Sequence, residues 1–318
     1  MLIPVCINAK NEEHTIEGTL RTLIAATEVC KSKMDISFKL VLMLDDSTDN
    51  TALRAQPFTN VEQVRCSGGL VAAQRLFAQR FKSAPYLIFC DGDILIGPDT
   101  IWKMANSMET SHVQVAYPEK IALQPSRKSL LARSLYYYNR NNGYQTKRHY
   151  FNGQLFAIRN WHIPLPHEIP KPLARDNNYL RLHEGIRCDD IYLSRDILHR
   201  FGVESIALVD AKIHYQPPET FRGMYRKYQR MVLEIRRLHH LFPEMVSTHS
   251  THGKRKVVWS QVFEHGLAAT LLYIHFLLHL TGCKYLLLLE EFWYKHLTTT
   301  ECKTWKPILE TKQPFSPV

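Results

Sequence analysis

No Cys-x-x-Cys pair occurs in the 318 residues, and the seven cysteines stand singly at Cys6, Cys30, Cys66, Cys90, Cys188, Cys283 and Cys302. An odd count without paired spacing argues against a disulfide framework. Several of these cysteines fall in apolar, strand-like runs, which reads as reduced, mostly buried thiols of a cytoplasmic protein. No secretory leader is expected either, since Leu2–Ile7 reads directly as a strand, with no basic stretch and long apolar run before it. There is no internal repeat and no low-complexity tract, which excludes a solenoid and a disordered polar chain.

What is present is an ordinary globular balance, 45% hydrophobic and 22% charged, in a length that suits one large α/β domain with an appendage. The net charge of +10 implies a surface that attracts anions, but nucleotide diphosphates, anionic lipid and nucleic acid satisfy that equally. The first hundred residues alternate strand and helix signals. Apolar runs at Leu2–Ile7, Phe38–Leu44, Val61–Val64 and Tyr86–Cys90 read as strands. Thr15–Val29, Leu70–Phe81 and Pro98–Met108 carry apolar residues at helical spacing. That alternation predicts an α/β fold built on a mostly parallel, doubly wound sheet, in which ligands bind beyond the carboxyl ends of the strands. From Val113 to Asp210 the pattern is less regular. A Tyr/Asn/Arg-rich stretch at Leu135–Tyr150 and a long loop at Trp161–Arg187 read as irregular, Tyr225–His240 as a basic helix, and the proline-bearing tail after Thr298 as peripheral.

The acidic residues cluster where the strands end. Asp45-Asp46-Ser47-Thr48-Asp49-Asn50-Thr51 follows the second strand and has more polar groups than a helix cap needs; it suits the edge of a base or ribose. Asp91-Gly92-Asp93 follows the fourth strand, with two carboxylates at a spacing that can hold a hard cation directly or through water, and a glycine that leaves room for phosphate oxygens. Asp189-Asp190 leads into a helix-like segment and can supply a general base, although an acidic first turn is also what a helix dipole favours. His214, at the end of an apolar run, is a candidate third metal ligand beside Asp91 and Asp93. Arg226, Gln229 and Arg230 lie in a cationic, aromatic helical segment that reads either as a solvated face or as a clamp on a diphosphate.

Taken in order, these residues resemble family-2 glycosyltransferases. Ile7-Asn8-Ala9-Lys10-Asn11-Glu12-Glu13 is similar to the opening strand and donor loop of that family, and Asp45 to Thr51 to its Asp-Asp-Gly-Ser-Thr-Asp-Gly-Thr element without the glycine after the acid pair. Gly69–Phe77 resembles its Gly- and Ala-rich helix. Phe89-Cys90-Asp91-Gly92-Asp93 resembles the Asp-x-Asp strand end, Phe151-Asn152-Gly153-Gln154 with Arg159 the small-residue strand beside the acceptor, and Asp189-Asp190 the acid pair whose second member is the catalytic base. His214 and Gln229-Arg230 resemble the closing segment before a Gln-x-x-Arg-Trp-like helix, with the tryptophan absent. The resemblance spans about Ile3 to Arg230. It implies a GT-A domain over residues 1–240, with a nucleotide-binding half to about 110 and an acceptor half from 111, followed by a helical region over 241–318.

The implied function is transfer of a sugar from a nucleotide-diphosphate donor to a hydroxyl. Asn11, Glu12, Asp45, Asp46, Gly69, Asp91, Arg226, Gln229 and Arg230 would lie at the donor. Mg²⁺ or Mn²⁺ would sit on Asp91, Asp93 and His214, and Asp190, with Asp189 beside it, would serve as base for an inverting displacement.

Two other classes compete. A haloacid-dehalogenase-like phosphatase shares the apolar strand ending in Asp-x-Asp, but Ile94-Leu95-Ile96 offers no hydroxyl where that chemistry needs one. A non-catalytic basic protein binding membranes or nucleic acid accounts for the charge but leaves three acidic clusters that would repel phosphate, so no nucleic-acid partner is expected. Gly266–Leu289 is apolar enough to span a bilayer by length, yet His275, His279 and Lys284 interrupt it. It reads as a helix docked on the cytosolic membrane face, with Arg226, Lys227, Arg230, Arg236 and Arg237 as a cationic belt, and a glycan or lipid-linked acceptor.

Overall fold

The computed structural model describes residues 1–140, 149–170, 177–253, 257–302 and 308–315. Its elements run β1 (Leu2–Ala9), α1 (Ile16–Lys31), β2 (Ser37–Asp45), α2 (Thr51–Ala55), β3 (Val61–Cys66), α3 (Leu70–Arg80), β4 (Leu87–Asp91), β5 (Ile94–Ile96), α4 (Thr100–Met108), β6 (Val115–Ala122) and α5 (Leu130–Arg140). After these come β7 (Leu155–Ile158), α6 (Asp189–Phe201), β8 (Ile206–Tyr215), α7 (Phe221–Leu241), the short α8 (Val246–Thr248), α9 (Trp259–Glu264) and α10 (Leu267–His296). The sheet order is β3-β2-β1-β4-β7-β6-β8-β5. β1 to β4 are mutually parallel, β7 runs against β4 and β6, β8 is parallel to β6, and β5 runs against β8.

Strands buried on both faces need helices on both, and the core divides accordingly. One layer packs Ile3, Val5, Ile7, Leu40 and Leu42 with α1 and α4. The other packs Cys6, Val41, Met43, Phe89 and Phe156 with α3 and α6. Alternation of residue parity along β1 and β2 sorts their side chains between the layers.

One link sets the shape of the sheet. Only Gly92 and Asp93 separate β4 from β5, a reach of about 11 Å at most. In sheet order the two strands lie four steps apart, roughly 19 Å if the sheet were flat. The sheet therefore curls, and the C-terminal end of β8 is brought over that of β4, at the edge that carries the acids.

Most of the expected elements are present, and two readings are corrected. Leu135–Tyr150 is not irregular where it is described: its first part belongs to α5, whose Ala132 and Leu135 are buried. Residues 141–148 of that stretch, and 171–176 of the long loop, lie outside the described residues. The tail is not peripheral. Residues 308–315 run back over the domain, with Ile308 buried, Lys312 paired to Glu12 and Phe315 against Gly18 of α1. Within the cationic belt, Arg237 is turned in, 3% exposed in an ion pair with Glu234, and Arg236 pairs with Glu291 of α10 at 2.8 Å, while Lys227 stays exposed.

α10 turns one stripe inward. Tyr273, Phe276 and Cys283 pack with Leu135 of α5 and Met224 of α7, while Leu267, Leu271, Leu278, Leu289, Phe292 and Trp293 remain exposed. His275 and His279 of α10 are both engaged with neighbouring helices. His275 Nδ1 lies 2.9 Å from Ser134 Oγ, and the His279 ring packs on Phe221.

Candidate active site

The first wall is stitched from two loops. After β1 the backbone enters a left-handed conformation at Asn11, whose Oδ1 accepts from the Thr48 amide at 2.8 Å. The Asn11, Glu12 and Glu13 amides donate to Ser47 Oγ, Thr51 Oγ1 and Asp49 Oδ2 at 3.1, 2.7 and 3.0 Å. Much of the polar run after β2 is thus used to hold the donor loop. Within the acid pair the two members separate. Asp45 is turned in, accepting from the Gly69 amide at 3.0 Å and from Lys10 at 3.3 Å, and its side chain is 9% exposed. Asp46 is 56% exposed and sits at φ +46. The left-handed backbone costs a non-glycine residue about 1 kcal/mol; here Asp46 has taken the turn in the place where the glycine of the resembled element is missing. Gly69, at φ +89, opens α3 and presents its amide to Asp45.

The second wall is Asp91-Gly92-Asp93. The Asp91 amide donates to Gln154 O at 2.8 Å and the Gly92 amide to Asn8 O at 2.9 Å, which fixes the turn to β1 and to the loop before β7. A Cβ on Gly92 would lie 3.0 Å from Asn8 O and 3.3 Å from Glu12 Cγ, so no side chain fits without displacing the donor loop. Burial pushes the Asp91 carboxyl far above its usual range, and the charges of Asp93, Asp189, Glu12 and Asp190 push it further. Burial raises Asp93 as well, with Lys312 pulling it back. Glu12 rises to about 7, through burial and then Asp93, against the pull of Lys312. Five carboxylates thus share one low-dielectric edge with less positive charge than negative.

His214 does not join them in a three-residue ligand set. It pairs in register with Leu95 of β5 and Ile121 of β6, and among the described residues no group of three His, Cys, Asp or Glu side chains could hold a metal ion.

The third wall is the start of α6. Asp189 is buried and accepts from Gln74 Nε2 of α3 at 2.6 Å; burial and then Asp190 raise its carboxyl to about 7. Asp190 is partly exposed and lies flat on Gly153, where an added Cβ would come within 2.9 Å of Asp190 Cβ. The small-residue segment Phe151–Gln154, expected as a strand, is instead the turn before β7, and its Gly153 meets the second acid of the pair. From behind, Glu234 of α7 accepts the amides of Arg187 and Cys188 at 2.9 and 3.1 Å and pairs with Arg237, which also reaches Glu184 at 3.3 Å.

α7 departs from expectation. Gln229 is not at the donor: it is buried against α10, where Nε2 donates to Glu290 Oε2 at 2.7 Å, and Tyr225 OH donates to the same oxygen. Arg226 and Arg230 lie one turn apart, with Arg230 half-buried near Cys188, just before the acid pair. Sequence reasoning missed Gln74, Glu234 and Lys312, and read Arg237 only as part of a cationic belt. The opposite charges of Glu234 and Arg237, one turn apart on a face that also carries Leu233 and Leu238, were a usable signal. Lys312 offered none, since its partner is 300 positions away.

The chain matches the family model described as glycosyl transferase family 2 over residues 5–167, which is 163 of 318 residues. No curated protein matches it. Among solved structures it is similar to glucosyl-3-phosphoglycerate synthase from Mycobacterium tuberculosis in complex with Mn²⁺, uridine-diphosphate-glucose and phosphoglyceric acid, at 17% identity over 74% of this chain and 79% of that one, TM-score 0.45. A complex of the same enzyme with phosphoglyceric acid gives 16% identity over the same shares, TM-score 0.46. A further mycobacterial protein gives 16% identity over 67% of this chain and 64% of that one, TM-score 0.39. These likenesses are too slight to carry a donor or an acceptor across.

Proposed function

The chain belongs to glycosyl transferase family 2, and from that premise we propose that it is an inverting, metal-dependent enzyme that transfers a sugar from a nucleotide diphosphate to a glycan or lipid-linked hydroxyl at the cytosolic face of a membrane. The observation that carries the chemistry is the convergence of Glu12, Asp91, Asp93, Asp189 and Asp190 at one sheet edge, where each raises the cost of ionising Asp91. Such an edge fits a divalent cation. Asp91 and Asp93 would hold Mg²⁺ or Mn²⁺, since one or two carboxylates with substrate phosphates are the usual protein share for the smaller ion. When bound, the ion neutralises charge that develops on the leaving diphosphate.

The chain's own residues do the rest. Asp46 projects from the loop after β2 and can meet the base or ribose. Asp190, partly exposed on Gly153, accepts the proton of the acceptor hydroxyl as that oxygen bonds to the anomeric carbon and the bond to the diphosphate breaks. Asp189 and Gln74 hold the first turn of α6 in place. A panel of UDP-, GDP- and CDP-sugars with Mn²⁺, repeated after exhaustive chelation, tests the reading. Turnover should vanish with EDTA and return with Mg²⁺ or Mn²⁺; full activity without metal would sink it.

The membrane half rests on α10, the one helix among the described residues long and apolar enough to cross a bilayer, of which 22% of the apolar window is buried. Its inner stripe is committed to α5 and α7, so a span would drag those helices into hydrocarbon. Docking on the surface uses the outer leucines and the aromatics Phe292 and Trp293 without that cost. The wild-type chain should float with liposomes, and Leu271→Gln, Leu278→Gln and Leu289→Gln together should abolish flotation. Equal sedimentation of both would end the membrane reading and leave sugar transfer intact.

A further inference from the structure

Residues 308–315 return to the acidic edge from the far end of the chain, and the domain is shaped to receive them. Glu310 accepts from Thr220 Oγ1 at 3.1 Å and from the Thr220 amide at 3.4 Å, at the N-cap of α7. A Cβ on Gly223 would lie 1.6 Å from Glu310 Oε1, and one on Gly18 would lie 2.8 Å from the Phe315 ring. Both glycines sit inside helices, where glycine costs about 1 kcal/mol relative to alanine. Neither has a positive φ, so close approach of the tail accounts for them and backbone conformation does not. Between these two anchors Lys312 donates to Lys10 O at 2.6 Å and pairs with Glu12, with its side chain 19% exposed.

We propose that this segment is the remaining wall of the donor site and that Lys312 is a positioning residue for the donor diphosphate. The inference rests on the nucleotide-diphosphate reading above and extends it to residues that lie beyond the matched family region. An ammonium on a four-carbon stem can exchange Glu12 for a phosphate oxygen without the backbone moving. It stands at the junction of the donor loop and Asp93, where the edge is most negative and a diphosphate must be tolerated. The paired Glu12 holds it there in the absence of donor, and the anchors Glu310 and Phe315 fix the reach of its stem.

The test is calorimetric binding of UDP, GDP and CDP, each with Mn²⁺, to the full chain and its variants, alongside melting temperatures. The nucleotide that binds the wild type should lose about tenfold in affinity for Lys312→Ala, as expected for one charged contact. Lys312→Arg should recover most of that loss. Donor KM should rise in parallel, with kcat and acceptor KM changing less. Phe315→Ala, which keeps Lys312 but loosens an anchor, should weaken binding by a smaller factor. A Lys312→Ala chain that melts lower yet binds the nucleotide as the wild type does makes the contact merely architectural and overturns the proposal. Tighter binding by Lys312→Ala would make the segment a plug and overturn it too. If a folded wild type binds none of the three nucleotides, the donor reading itself fails and the inference falls with it.

Discussion

Two regions of this molecule are dense in charge and treat it in opposite ways. At the sheet edge, Asp91, Asp93, Glu12, Asp189 and Asp190 are gathered; burial drives the carboxyls of the first four upward, and neighbouring acids add to it at Asp91, Glu12 and Asp189. Along the seam of α7 with its neighbours, each acid has a cation or donor at hand: Glu234 and Glu184 with Arg237, Glu291 with Arg236, Glu290 with Tyr225 and Gln229. The seam is architecture, because a buried charge is tolerated when its partner is built in. The edge collects like charges that folding alone gives no reason to gather, and this is what supports the proposal that a ligand supplies the countercharge there.

The contrast is sharpest at Asp190. Replacing it with asparagine removes a proton acceptor but little volume, and among the described residues no ion pair to its carboxylate is formed. Sugar transfer should fall about 10²-fold or more, while donor binding and the melting temperature hold. Asp189→Asn should cost far less, since Asp189 is buried under Gln74. A reversed order of the two variants, measured as single-turnover rates, would exchange their roles.

On the seam the expected effect is on stability. Arg237→Ala leaves Glu234 buried without its cation, while Glu184 keeps Arg181 and Arg187; the loss is about 3–5 kcal/mol for breaking a buried pair, read as a lowered urea midpoint. Asp93→Ala is the matched control at the edge. It removes a repelled carboxylate, so its midpoint should stay or rise while metal-dependent turnover disappears. Equal destabilisation by both variants would erase the distinction between the two regions.

The nucleotide-binding half was legible in the sequence because its elements are local: buried strands read as apolar runs, and α1 and α3 show helical spacing. β6 escaped because Pro118 interrupts it, and the register does shift at Pro118/Glu119. α5 escaped because its tyrosines are indifferent helix formers, and the helix is held by packing, as in the stacking of Tyr138 on Phe276 at 3.7 Å. At the site, acids at strand ends could be read directly. Which of them face solvent could not, since that depends on Gln74, Gly153 and Gly69, each brought in by another element. Gln229 shows the reverse: a motif-like residue on a basic helix suggests a donor contact, yet its amide serves the α7–α10 contact. Whether a polar residue works inward or outward is decided by the element packed against it, and sequence pattern alone does not name that element.

The smallest expected effect concerns the pH dependence of the edge. Asp189 titrates at about 7 in the folded chain, raised by burial and by Asp190 from an ordinary value near 3.8. The folded state therefore binds this proton more tightly than the unfolded state does, and the sign follows. The contribution is most favourable below the unfolded pKa and is lost as pH rises from about 4 through 7, so stability declines across that window. Asp189→Asn keeps an oxygen that can accept from Gln74 but has no proton to lose. In metal-free buffer with EDTA, the wild type should melt several degrees lower at pH 7.5 than at pH 5.5 from this group, and the variant should show a flatter profile and melt higher at pH 7.5. Added Mn²⁺ should narrow the gap, because a cation on Asp91 and Asp93 offsets the field that Asp189 feels. A variant profile that parallels the wild type across pH 4–7.5 would show that Asp189 is already ionised at low pH, and would place its charge with the paired acids of the seam.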